Sequence, residues 1–132
     1  MQFESNRKNE PAISVILITP DEYQTIRKTI EHLLRQDIVD RMEVVIVAPS
    51  KQALSPDLQQ LSRFCCYQIV ELEKFDSVGA AYATGIVMAR AEVIALGEDH
   101  SFPQPGWASA LLSGYSADRA AVGPVVGNAN PD

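Results

Sequence analysis

Apolar residues fall along this chain in two rhythms: short unbroken runs, and longer stretches with a helical period. Residues 12–18, AISVILI, are rich in β-branched side chains and almost wholly apolar, the pattern of a central parallel strand buried on both faces. Thr19-Pro20-Asp21 breaks the run, and Asp21 with Gln24 three residues on has the form of a capping box. Ile26, Ile30, Leu33 and Leu34 then recur with Arg27, Lys28, Glu31 and Arg35 between them, which predicts an amphipathic helix over 22–36. EVVIV at 43–47 reads as a second buried strand, stopped at Ala48-Pro49-Ser50 because proline cannot extend a ladder. Ser55-Pro56-Asp57 opens a short helix to about residue 64, with Pro56 suited to its first turn. A third strand follows at 67–72 and a connecting loop at 73–77. VGAAYATGIVMARA at 78–91 predicts a helix with two internal glycines, Gly79 and Gly85. Glycine costs helix propensity, and close packing of the helix on a sheet would offset it. The pattern ends with a fourth strand at 92–96, a helix at 106–115 and a fifth strand at 121–126.

Strands alternating with helices predict an α/β fold, a three-layer α/β/α sandwich around a mostly parallel sheet. The 132 residues suit one domain over 13–132. The polar start MQFESNRKNEP makes 1–12 a flexible leader rather than a signal peptide. Ligands of such sheets bind beyond the carboxyl ends of the strands. Three of those ends, Thr19-Pro20-Asp21, Ala48-Pro49-Ser50 and Gly97-Glu98-Asp99-His100, are expected to meet in one crevice.

Composition narrows the chemistry. With 46% hydrophobic and 21% charged residues the chain can build a globular core. A net charge of −6 argues against nucleic acid as a partner, since that usually needs a basic face. An anionic small ligand stays possible, because a metal or local backbone dipoles can reverse the field within one site. Cys65 and Cys66 are adjacent and have no third partner. Neighbours on an extended chain point to opposite faces, so both are expected to be reduced, in a cytoplasmic protein. The longest apolar run, 44–48, is far too short to span a membrane.

The candidate chemistry lies in EVIALGEDHSFPQPGW, residues 92–107. On an extended segment Glu98 and His100 point to the same side. A carboxylate oxygen and an imidazole nitrogen placed so can share a divalent cation, with Mn²⁺ suited better than Mg²⁺. The same triplet also suits a plain solvated loop. Asp21 reads as a helix cap; alternatively the amides of that helix start, with Thr19, line a nucleotide site. Trp107 reads as a core anchor and Pro103 and Pro105 as braces of a rigid turn. His32 has no acidic partner in the pattern and receives no role. VGAAYATG lies inside a helix, the wrong context for a phosphate-binding glycine loop.

Taken in order, these motifs resemble the family-2 inverting glycosyltransferases, which have the glycosyltransferase A fold, a Rossmann-like nucleotide-diphospho-sugar transferase fold. SVILITPDEYQTIRKTIEHLLRQ is similar to the family's first strand, loop and helix. MEVVIVAPS is similar to its second strand, and VGAAYATGIVMARAEVIALGEDHSFPQPGW to its helix, strand, D-X-D motif and P-X-X-W turn. The resemblance implies a nucleotide-diphosphate sugar as ligand, with Thr19, Pro20, Asp21, Ala48, Glu98 and Asp99 at the nucleotide-sugar positions. It puts Glu98 on the ribose side and makes His100, with Glu98, a metal ligand. The chain departs from the family in places: Ile18 stands where the family loop has its proline, Pro20 and Asp21 replace an aromatic-Asn pair, Ala48-Pro49 an acidic pair, and Tyr82-Ala83 an Arg-Asn pair. The family's second half, with its acceptor site and general base, has no counterpart; Asp118 is the only acidic residue between Trp107 and Asp132. The sequence thus implies a truncated transferase that is either active in inverting transfer or a non-catalytic binding or scaffolding module. In either case an uncovered apolar face would favour a homo-oligomer.

Overall fold

The computed structural model describes residues 2–4 and 10–115. Its elements run β1 (Gln2–Glu4), β2 (Ile13–Ile18), α1 (Tyr23–Leu33), β3 (Met42–Ala48), α2 (Lys51–Leu54), α3 (Leu58–Leu61), β4 (Cys66–Glu71), α4 (Val78–Met88), β5 (Val93–Leu96) and α5 (Trp107–Gly114), with a 3₁₀ turn at Val39–Arg41. The strands form one sheet in the order β1-β4-β3-β2-β5. Four are parallel, as the alternating pattern requires, and β1 pairs antiparallel with β4 at one edge. Gln2–Glu4 therefore lie on the sheet although they fall in the stretch read as a leader. The expected strand at 121–126 and Asp118 lie outside the described residues.

Period-two alternation sends side chains to the two faces of the sheet. On one face Ile13, Val15, Leu17, Val44 and Ile46 pack under α1, α3 and α5, through Ile26, Ile30, Leu33, Leu61 and Leu111. On the other, Ile16, Val45, Val47 and Val70 pack under Ala81 of α4. Helices on both faces of a mostly parallel sheet make the expected three-layer α/β sandwich.

At its lower end the second face turns polar. Glu43 is fully buried at the start of β3. Its carboxylate accepts from the Ser14 hydroxyl (2.6 Å), the Gln68 amide (2.9 Å) and the Arg90 backbone N–H (2.9 Å), with the Arg90 guanidinium 3.9 Å away. Cys66 lies beside it, and burial with the neighbouring carboxylate pushes its thiol up to about 12. Both cysteines are buried thiols outside any disulfide.

Several local expectations are corrected. Glu22, not Asp21, is the N-cap of α1, and no side chain caps that helix. Asp21 instead donates its backbone N–H to the Thr19 hydroxyl (3.2 Å), so the short turn satisfies itself. The helix stops at Leu33 rather than residue 36, because Arg35 and Gln36 tighten to three-residue bonds with His32 and Leu33. Where the sequence suggested a helix from 55 to about 64, α3 covers only Leu58–Leu61, and a further single turn, α2 at Lys51–Leu54, precedes that span. Ser50 caps α2 and Asp57 caps α3. Pro56 therefore precedes a cap instead of opening a first turn. Gly85 fits the close-packing expectation: a Cβ there would lie 2.5 Å from Ile16 Cγ2 and 3.0 Å from Val47 Cγ2. Gly79 does not, since its nearest neighbour would be Ser77 Oγ at 4.0 Å.

Candidate functional site

In this sheet β3 and β4 lie to one side of β2, and β5 lies to the other. Such a switch leaves a crevice at the carboxyl ends of the strands that flank it. Three backbone bonds mark where the chain leaves the sheet: Thr19 N–H to Val47 O (3.0 Å), Leu72 N–H to Ala48 O (2.8 Å) and Gly97 N–H to Ile16 O (2.9 Å). Thr19, Ala48 and Gly97 thus depart from three adjacent strands. Thr19 and Ala48 are fully buried, and the Thr19 hydroxyl is taken by its own loop. Pro20 and Asp21 are exposed and line a hollow of about 490 Å³ with Glu22, Thr25 and Ala53. Glu98, Asp99 and His100 do not border that hollow.

The turn after β5 can start where it does because Gly97 has no side chain. A Cβ there would stand 2.6 Å from Leu17 Cδ2 and 3.3 Å from Val15 Cγ1. Beyond it the backbone does not continue extended, as expected from the sequence, but turns: Ser101 N–H donates to Glu98 O (3.3 Å). Glu98 and His100 still meet, because the ring folds back on both acids. His100 Nε2 lies 3.1 Å from Glu98 Oε2, and Nδ1 lies 2.8 Å from Asp99 Oδ1. All three side chains reach solvent, at 56% exposure for Glu98, 40% for Asp99 and 79% for His100. The hydrogen bond that the protonated ring donates to Asp99, then the field of Glu98, raises the His100 pKa above its ordinary value.

Two donors at right angles around a cation at about 2.1 Å stand about 3 Å apart. The Glu98 Oε2 and His100 Nε2 separation of 3.1 Å fits such a pair. Asp99 sits on the opposite ring nitrogen; with a proton on Nδ1 this contact would leave Nε2 open to a cation, as carboxylates orient metal-binding histidines. A cation here could find at most two side-chain ligands in the turn, Glu98 and His100. Among the described residues no group of three or more His, Cys, Asp or Glu could hold a metal ion by itself. The remaining coordination positions would fall to water or to the oxygens of a ligand.

The residues that hold this turn escaped the sequence reading. Thr29 of α1 is 2% exposed, and its hydroxyl lies 3.2, 3.1 and 3.3 Å from the carbonyls of Glu98, Asp99 and Ser101. From the other face of the sheet, the Tyr82 hydroxyl of α4 donates to Gly97 O at 2.5 Å. Gln36 donates to Gln104 O (2.9 Å) and accepts from the Ala108 N–H (3.0 Å), which sets the start of α5. His32, given no role from sequence, stacks on Phe102 with ring centres 5.4 Å apart, and Lys28 Nζ lies 4.4 Å from the same ring. Trp107 packs against the core as expected. One signal was available: Thr29 is a polar residue inside the apolar stripe Ile26-Ile30-Leu33.

A mostly parallel α/β sheet with this switch point and helices on both faces is the Rossmann-like nucleotide-diphospho-sugar transferase fold. Solved structures agree. The S. aureus TarS 1-349 structure matches with a TM-score of 0.64 and 19% identity, over 76% of this chain and 32% of that one. The mannosyltransferase PcManGT from Pyrobaculum calidifontis, in complex with GDP-Man and Mn²⁺, matches at 0.60 and 20%, over 72% and 29%. The chain spans about a third of these structures' length. No curated protein matches significantly. Residues 14–131 match the model of glycosyl transferase family 2, and the chain belongs to that family. No helix of the described residues is long and apolar enough to cross a membrane.

Proposed function

We propose that this chain binds a nucleotide-diphosphate sugar with a divalent cation, Mn²⁺ in preference to Mg²⁺, as the donor-binding part of an inverting glycosyltransferase. The observation that carries this reading is the 3.1 Å pairing of Glu98 Oε2 with His100 Nε2, with Asp99 behind the ring. The complex of the mannosyltransferase with GDP-Man and Mn²⁺ supports the ligand class. In this reading Pro20 and Asp21 border the nucleotide, and Thr19 and Ala48 shape the floor beneath it. Glu98 faces the ribose and, with His100, holds the cation; Asp99 orients the imidazole. The cation, when bound, neutralises charge on the diphosphate leaving group. The acceptor hydroxyl gives its proton to a base outside this donor-binding part. The buried, undisulfided thiols of Cys65 and Cys66 support a reducing, cytoplasmic setting.

One observation favours a second reading, a non-catalytic module that works as a homo-oligomer. Val78 (64% exposed), Val87 (81%) and Leu96 (54%) present apolar surface on α4 and β5, which a second copy would cover. Thermal stabilisation by UDP-, GDP- and dTDP-sugars, with and without Mn²⁺, followed by hydrolysis and transfer assays, separates the two. Turnover supports the transferase and metal-dependent binding without turnover the module. No stabilisation by any donor refutes the binding proposal. A strictly monomeric particle in light scattering counts against the oligomer.

A further inference from the structure

We propose that Thr29 and Tyr82 are positioning residues, which clamp the Glu98–His100 turn from opposite faces of the sheet and set the direction of its side chains. This deepens the donor-binding reading and rests on it for its functional consequence. Pairing of β5 with β2 ends at Leu96 opposite Ile16, and Gly97 makes one further backbone bond to β2. The turn beyond has left the sheet, and a turn without a ladder is free to reorient its peptide planes unless something else fixes them. Beyond the turn's own Ser101 N–H to Glu98 O bond, the fixing comes from two hydroxyls. Tyr82 of α4 holds the carbonyl of Gly97. Thr29 of α1 gathers those of Glu98, Asp99 and Ser101 within 3.3 Å of one oxygen. Its single proton serves one carbonyl at a time.

With the carbonyls of Glu98 and Asp99 held against α1, their carboxylates are left on the solvent side, where they reach His100. Burial, and then the charges of Glu98 and Asp99, raise the Tyr82 pKa, so its hydroxyl stays a donor. Each anchor acts through one oxygen, so removing that oxygen with little change of shape is a clean perturbation.

The test compares wild type with Thr29→Val, Thr29→Ser, Tyr82→Phe and the Thr29→Val/Tyr82→Phe pair. Two quantities are read: hydrogen exchange of the Ser101 amide, normalised to core amides of β2 and β3, and calorimetric affinity for GDP-mannose in the presence of Mn²⁺. Loss of one net hydrogen bond corresponds to roughly a three- to tenfold change. Thr29→Val is expected to speed Ser101 exchange and weaken Mn²⁺-dependent affinity by about that factor, with core amides unchanged. Thr29→Ser is expected to restore both. Tyr82→Phe is expected to act in the same direction from the other face and stands in if Thr29→Val does not fold. Normal Ser101 exchange in Thr29→Val and Tyr82→Phe overturns the proposal. So does a loss spread evenly over the core amides, a failure of serine to rescue, or faster exchange with affinity unaltered. If wild type shows no Mn²⁺-dependent binding of GDP-mannose, donor binding fails for this probe, while the exchange ratios alone still decide whether the clamp exists.

Discussion

Two glycines of α4, six residues apart in the same helix, should respond to alanine in opposite directions. At Gly79 an added Cβ meets only Ser77 Oγ at 4.0 Å. Gly79→Ala should therefore gain most of the helix-propensity difference, about 0.5–1 kcal/mol. At Gly85 the same atom would lie 2.5 Å from Ile16 Cγ2 and 3.0 Å from Val47 Cγ2. Both are methyls of β-branched side chains on central, buried strands, and they have little freedom to swing aside. Separating helix from sheet would open the packing of Val45, Val47 and Val70 against Ala81. Overpacking of this kind costs about 1–3 kcal/mol. The close 2.5 Å approach puts Gly85→Ala at the upper end of that cost. Less a helix gain of about 1 kcal/mol, the net loss is about 2 kcal/mol. The two variants should thus differ by about 3 kcal/mol in urea unfolding, as a shift of midpoint at constant slope. A Gly85→Ala protein as stable as wild type would refute the close helix–sheet contact, and with it the placement of α4 over β2 and β3.

Other outcomes follow from the same structure. Glu43→Ala removes the acceptor shared by Ser14, Gln68 and the Arg90 amide and takes one partner from a buried ion pair. Denaturant melts should show a loss of about 3–5 kcal/mol, and a loss below about 1 kcal/mol would mean the network carries no stability. Without metal, the raised His100 pKa makes its ion pairs stabilise the fold at pH below the ordinary histidine value, and this contribution is lost as pH rises through the raised pKa. Mn²⁺ stabilisation should run the other way, growing as the proton leaves, and His100→Ala should abolish it; a metal effect strongest at acid pH would contradict this assignment. Asp99→Asn removes the largest cause of the raised pKa, so the His100 titration midpoint by NMR should fall; an unchanged midpoint would mean the 2.8 Å bond is not formed in solution.

Much of the architecture was legible because it depends on residues two to four positions apart. AISVILI and EVVIV have no polar face to show water, so they had to be strands covered on both sides, and helices between them made the sheet parallel. The stripe Ile26-Ile30-Leu33 fixed the inner face of α1. Misreadings came where chemistry at a chain end outweighed pattern. α2 is four residues long and owes its existence to Ser50 accepting from the Ala53 N–H. Glu43, read as part of an apolar run, is instead the centre of a buried polar network whose other members lie in β2 and β4 and beside α4.

The candidate site divides along the same line. The sequence by itself put Glu98, Asp99 and His100 at the tip of the strand that became β5, because a short apolar run followed by three polar residues ends there; it read that strand as buried, whereas Leu96 is 54% exposed. It did not decide that the tip turns back on itself, or that Nε2 faces one acid and Nδ1 the other. Those follow from Thr29, which stands 72 residues before the Ser101 carbonyl it holds, and from Tyr82 on the opposite helix. Gly85 and Gly79 make the same point: identical residues in one helix, distinguished by which of them lies against the sheet. Periodicity records what each residue requires of water, a local quantity, whereas the direction of a side chain at the site depends on which distant groups the folded sheet brings beside it.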